Sequence, residues 1–70
     1  MPIAVAPENT LLRIVKILVD EKTKRHLENL GILVNAQITI LSRNDGNTII
    51  KFKDGRLALN KDTALKIFVA

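Results

Sequence analysis

Gln37-Ile38-Thr39-Ile40-Leu41-Ser42-Arg43-Asn44-Asp45-Gly46-Asn47-Thr48-Ile49-Ile50-Lys51-Phe52-Lys53-Asp54-Gly55-Arg56-Leu57-Ala58-Leu59 is the stretch whose periodicity decides the fold. Ile38 and Ile40 alternate with Gln37 and Thr39, the period of two that belongs to a half-buried strand. Ile50 and Phe52 repeat the pattern with Lys51 and Lys53 outward, and Leu57 and Leu59 repeat it again. Asn44-Asp45-Gly46-Asn47 between the first two runs is a reverse-turn signal. Asp54-Gly55 reads as a two-residue type I′ hairpin, whose two central residues need positive φ. Three strands joined by two tight turns make a meander with one apolar face.

Outward from the meander the periodicity changes. Leu11-Leu12-Arg13-Ile14-Val15-Lys16-Ile17-Leu18 is β-branched and aliphatic, and comes after the turn-like Pro7-Glu8-Asn9-Thr10. It is expected to be a strand with most of both faces covered. The next segment is a helix. Asp20 is its N-cap, Glu21 complements the positive end, and Thr23, Leu27 and Leu30 share one stripe. Gly31 closes it in the left-handed conformation, while Lys22, Lys24, Arg25 and Glu28 lie off the stripe. After the meander, Asn60 caps a single turn over Lys61-Asp62-Thr63-Ala64, and Leu65 to Val69 forms a last strand. The expected fold is mainly β: a small SH3-like barrel of about five strands with one short α-helix after the first long strand. A bent sheet buries strands this short and removes exposed edges.

Composition bounds the rest. Seventy residues make one domain spanning 1–70, and a chain this short hides only about 60% of its unfolded surface. Ten Leu, nine Ile and five Val stand against two Phe, so the core is built from branched aliphatics. There is no cysteine, which excludes disulfides and zinc–thiolate sites and fits a reducing compartment. The net charge of +4 permits an acidic partner without identifying it. No apolar run approaches the roughly 20 residues of a membrane helix. The amino terminus, Met1 to Pro7, has no basic region and too short an apolar stretch for a signal peptide. A cytoplasmic protein is the expectation.

Several strings in this order resemble a known family. Arg13-Ile14-Val15-Lys16-Ile17 precedes a basic helix ending Leu27-Glu28-Asn29-Leu30-Gly31-Ile32. Gln37-Ile38-Thr39-Ile40-Leu41, a glycine turn and Gly55-Arg56-Leu57-Ala58-Leu59 come next, ahead of Ala64, Ile67 and Val69. From about Thr10 to Val69 the chain resembles FeoA, the small protein of bacterial ferrous iron transport. Two departures stand out: Val34-Asn35 replaces a common Pro-Gly pair after the helix, and Pro7-Glu8-Asn9 replaces a Pro-Gly turn before the first strand. Asn35 tolerates a left-handed backbone, so the turn after the helix can survive the change, and neither departure removes a chemical group. The resemblance implies a cytosolic accessory protein contacting the membrane Fe(II) transporter and its GTPase domain. The SH3-like domain of iron-dependent repressors shares the barrel and keeps a regulatory reading open.

Site chemistry is sparse. A Ser/His/Asp set would need both His26 and Ser42, each present once, and no glycine elbow surrounds the serine. The carboxylates Asp20-Glu21, Asp45, Asp54 and Asp62 are explained as caps and turn residues. A ferrous site wants converging His and carboxylate ligands, yet the helix neighbours of His26 four residues away are Lys22 and Leu30. His26 therefore offers adventitious metal binding at most. Gly31, Gly46 and Gly55 are isolated, with no phosphate loop. The chain is expected to be no enzyme and to hold no cofactor or metal. Nucleic-acid binding is the rival reading, carried by Lys51, Lys53 and Arg56 on one hairpin and Lys22, Lys24 and Arg25 on the helix. The absence of Tyr and Trp argues against it and against polyproline recognition alike. Not all of Ile32, Leu33 and Val34 can face the core after so tight a cap. Either Leu33 and Val34 form an aliphatic docking site with Lys24 and Arg25 beside it, or the three plug the barrel end. Leu27, a core residue in the same region, would report on that site when mutated. Self-association through sheet edges stays open.

Overall fold

The computed structural model describes residues 1–70. A 3-10 turn over Ile3–Val5 precedes strand β1 (Leu11–Ile17), helix α1 (Glu21–Asn29) and strands β2 (Gln37–Asn44), β3 (Asn47–Phe52) and β4 (Gly55–Leu59). Helix α2 (Lys61–Lys66) and strand β5 (Ile67–Val69) complete the chain. Every ladder is antiparallel, in the order β4-β3-β2-β1-β5. That order forces the sheet to curl. Four inter-strand steps would separate β4 from β5 by about 19 Å in a flat sheet, whereas the α2 that joins them advances only about 9 Å. The nearly equal extents of 26 × 22 × 21 Å are those of a strongly curled sheet, the expected SH3-like barrel, although β4 and β5 do not pair and the expected removal of edges is incomplete.

Local chemistry sets the element ends. Asp20 accepts from the Thr23 N–H at 3.3 Å and from the Thr23 hydroxyl at 2.6 Å, capping α1. At the other end the Ile32 N–H donates to the Leu27 carbonyl and the Gly31 N–H to that of Glu28, both at 2.9 Å, with Gly31 at φ +93°. This is the two-bond left-handed cap, and it carries Ile32 into the core beside Leu27. Asn60 caps α2 by accepting from the Thr63 N–H at 2.8 Å. The left-handed φ at Asn9 (57°) and Asn35 (78°) shows both Pro-Gly replacements holding their turns.

Several details differ from expectation. β1 is covered on one face only: Leu12 and Ile14 are buried, but Leu11 and Val15 are exposed. α1 enters the core through Leu27 alone, with Thr23 and Leu30 half-buried, so it does not blanket the outer face of β1. The type I′ geometry falls at Asp45-Gly46, where φ is 51° and 82°, not at Asp54-Gly55. In the second hairpin the loop is Lys53-Asp54, closed by the Phe52↔Gly55 pair, and neither loop residue has positive φ. Gly55 takes up the mismatch with φ +155°, which a side chain would resist. Leu65 belongs to α2 rather than the last strand, and both Phe52 and Phe68 are half-buried.

Two features have no counterpart in the periodicity. A bulge at Leu41 lies between the pairs Ile40↔Ile50 and Ser42↔Ile49, so Arg43 pairs with buried Thr48 instead of facing out. Its guanidinium Nη2 donates to the Ile3 carbonyl at 2.6 Å and the Ala6 carbonyl at 2.5 Å. Nη1 reaches Glu8 at 3.4 Å, and the buried Nε has no partner. The amino terminus is thereby part of the fold. The Val69 N–H donates to the Met1 carbonyl, the Met1 ammonium donates to the Val69 carbonyl, and Pro2 bridges Phe68. Ile3 and Ala6 complete a core of thirteen apolar residues that contains neither Phe, the branched-aliphatic core the composition implies.

Candidate functional site

The left-handed cap of α1 sets the path of the chain beyond it. With Ile32 fully buried, the backbone reverses through Leu33-Val34-Asn35-Ala36, where the Ala36 N–H donates to the Leu33 carbonyl at 3.0 Å. Positive φ at the third residue, Asn35, is the mark of a type II turn, the turn that favours Pro-Gly at its centre. Asn35 is pinned on both sides: its N–H donates to the Ile14 carbonyl at 2.7 Å, and its side-chain oxygen accepts from Arg13 Nη1 at 3.0 Å. Leu33 and Val34 are thus held outward, 44% and 51% exposed.

These two residues border a groove of about 300 Å³, lined by Ile17, Lys24, Glu28, Leu33 and Val34. Of the residues expected to form a partner site, Lys24, Leu33 and Val34 come together here. Leu27 is 2% exposed in the core and touches no partner directly. Arg25 is exposed on α1 but does not line the groove. Glu28 takes its place, one helical turn from Lys24, so the rim carries both charges. The four-residue spacing from Lys24 could have revealed Glu28; the half-buried Ile17, brought in from the end of β1, carries no such signal.

Elsewhere a shallow groove of about 740 Å³ runs from Leu11 past Thr39 to Lys51, Phe52 and Lys53, ending against Gly31 and Asp54. It gathers no nucleophile and base. His26 is exposed on α1, and Ser42 lies on β2 opposite Ile49. No three His or carboxylate side chains are grouped to hold a metal ion. The one carboxyl displaced from its ordinary range is Asp20, held low by the Thr23 hydroxyl and then by the Thr23 N–H. No helix is long and apolar enough to cross a membrane.

The whole chain, residues 1–70, matches the model of the FeoA domain. No curated protein matches it. Among solved structures it is similar to the crystal structure of an iron uptake regulatory protein (FeoA), with 23% identity, 99% of this chain and 93% of that one covered, and a TM-score of 0.84. It is also similar to the solution structure of FeoA from Chlorobium tepidum, at 15% identity over 99% of this chain and 68% of that one, TM-score 0.90. A manganese-dependent transcriptional repressor shares the fold at 16% identity and TM-score 0.89, with all of this chain covering 40% of that one. At these identities the structural likeness speaks for the SH3-like fold alone. The family rests on the match along the chain, which includes the amino-terminal segment held by Arg43: this protein belongs to the FeoA family, and with it to ferrous iron uptake.

Proposed function

We propose that the protein is a non-enzymatic cytosolic accessory factor of ferrous iron uptake, acting by contact with the cytosolic part of the membrane Fe(II) transporter, including its GTPase domain. The observation that carries this reading is the pair Leu33 and Val34, held outward on a pinned type II turn at the rim of a groove with Lys24 and Glu28. Aliphatic side chains supply the contact, and the opposite charges of Lys24 and Glu28 orient it. Leu27 and Ile32 act beneath as the support that fixes the turn. A nucleic-acid reader would need exposed rings for stacking, and both Phe52 and Phe68 are half-buried.

The test is an amide NMR titration of the labelled protein with the soluble GTPase domain of the cognate transporter, with and without GTP. Shifts confined to Leu27–Asn35 and Lys24 support the reading. Replacing Leu33 and Val34 by Ser should raise Kd about tenfold or more, since each buried aliphatic contributes roughly 1.5–3 kcal/mol, while leaving the melting temperature near that of the parent. Unchanged spectra at high domain concentration in either nucleotide state refute docking to that domain. Unfolding of the double variant would instead mean that the pair plugs the barrel.

A further inference from the structure

The two ends of the sheet are treated differently. The free edge of β5 is sealed by the chain's own Met1-Pro2, through the paired bonds between Met1 and Val69. The edge of β4 is left open. In a two-residue hairpin the closing pair, here Phe52↔Gly55, exchanges hydrogen bonds, and alternation assigns the inward-bonding positions of β4 to Leu57 and Leu59. The β3 side agrees: the Asn44↔Asn47 closing pair directs Asn47, Ile49 and Lys51 to β2, leaving Thr48, Ile50 and Phe52 for β4. The N–H and C=O groups of Arg56 and Ala58 therefore point away from the sheet, no turn or loop bond engages them, and both residues are exposed.

Charge says what such an edge accepts. Lys51 and Arg56 are directly opposite each other, an arrangement that repels. Neither has a carboxylate partner, the sole ion pair of the protein being Arg43 with Glu8. Lys53 adds a third positive charge to the hairpin against the single Asp54. A second copy of this chain, itself +4, would bring like charge to like charge. An acidic strand would relieve the repulsion and satisfy the backbone together.

We propose that the open edge of β4 binds an extended acidic peptide segment by strand addition, with Arg56 and Ala58 supplying the main-chain bonds and Lys51 and Arg56 reading the charge. This surface is separate from the Leu33–Val34 groove and does not depend on its role. The ε-ammonium and guanidinium groups select against basic strands, while the outward methyl of Ala58 leaves room for a partner side chain.

The experiment uses the full chain, isotopically labelled, and the blocked peptide Glu-Val-Glu-Val-Glu-Val, with Lys-Val-Lys-Val-Lys-Val as its counterpart. Amide shifts and slowed hydrogen exchange at Arg56 and Ala58 with the acidic peptide alone are the expected result. Ala58→Pro removes a donor that β3 does not use, so it should keep the native spectrum and weaken binding about tenfold. Arg56→Glu should weaken it by about as much. If the proline variant does not fold, an acidic peptide N-methylated at alternate residues tests the backbone pairing on the unaltered protein, and it should not bind. Equal binding of both peptides, binding indifferent to N-methylation, or no shift at about millimolar peptide each overturns the proposal. So does concentration-dependent dimerisation that protects Arg56 and Ala58, which would give the edge to a second copy. Uptake of an RNA oligonucleotide that leaves these amides exchanging freely also overturns it.

Discussion

Replacing Arg43 by Met keeps the aliphatic stem and removes the guanidinium that ties the amino terminus to the barrel. Two bonds are lost from Nη2, to the Ile3 and Ala6 carbonyls at 2.6 and 2.5 Å. A hydrogen bond involving a charged group contributes roughly 1.5–3 kcal/mol, so the pair has an upper bound of about 3–6 kcal/mol. The Arg43 side chain is 29% exposed, and water entering the site recovers part of that loss, which leaves about 2–4 kcal/mol. Domains of this length have a total stability of about 3.5–10 kcal/mol, so the substitution removes a large share of it. The corresponding fall in melting temperature for 70 residues is roughly 14–27 °C. The Glu8 contact contributes little to this. At 3.4 Å, with Glu8 itself 43% exposed, it is a surface ion pair, and Glu8→Gln should cost less than about 1 kcal/mol.

Urea unfolding and native-state hydrogen exchange check this together. The Val69 amide, bonded to the Met1 carbonyl, reports whether the amino-terminal segment is seated. The Ile50 amide, inside the meander, reports the global opening. R43M should speed exchange at Val69 more than at Ile50, because the segment detaches before the sheet opens. An R43M variant within about 0.5 kcal/mol of the parent, with Val69 still protected, would refute the assignment of Arg43 as the anchor.

Gly31→Ala should cost about 1–2 kcal/mol in urea unfolding. Its added Cβ would meet Asp54 Oδ2 at an ordinary 3.5 Å, so the whole effect comes from holding φ at +93°. Asn60→Ala removes the cap of α2 and should cost about 1 kcal/mol by the same measurement. The Asp20 carboxyl is held below its ordinary value near 3.8, so its contribution is full above that value and lost as pH falls through the lowered one. Acid-unfolding curves of the parent and Asp20→Asn should therefore differ in slope below about pH 4, the variant being flatter there, and run parallel above it.

The parts of the fold legible in the sequence are those set by local rules. Alternation placed Ile38, Ile40, Ile50 and Leu59 inward, and the caps at Asp20, Gly31 and Asn60 have side-chain or backbone requirements that few residue types meet. What escaped depends on partners distant in sequence. The Leu41 bulge has no signature of its own, because any residue can be the extra one; its consequence, an inward Arg43, becomes visible only with Ile3 and Ala6 against it. Asp54-Gly55 satisfies the local preference for a type I′ turn, yet the β3–β4 register places Gly55 in the strand. In the groove, the outward turn residues Leu33 and Val34 are a consequence of the cap before them, while Ile17 arrives through the path of β1 and Arg25 is turned away by helix geometry.

The aliphatic character of Leu33 and Val34 asks for an explanation that the fold does not supply. Gly31 and Asn35, both left-handed, bracket the three residues Ile32, Leu33 and Val34. The first carries Ile32 into the core, and the second returns the chain toward β2, where half-buried Ala36 and buried Ile38 resume the inward positions. The intervening backbone bonds run through Asn35 and Ala36, so polar residues at 33 and 34 would serve the turn equally well. Leaving two aliphatics in water forfeits burial that a 70-residue chain can ill spare. Isolated exposed aliphatics are ordinary on protein surfaces, but these two are adjacent, rigidly presented and joined to Ile17 along one groove. The contact surface proposed above accounts for all three properties together, and the melting temperature of the Leu33→Ser, Val34→Ser double variant separates it from a plug that serves stability.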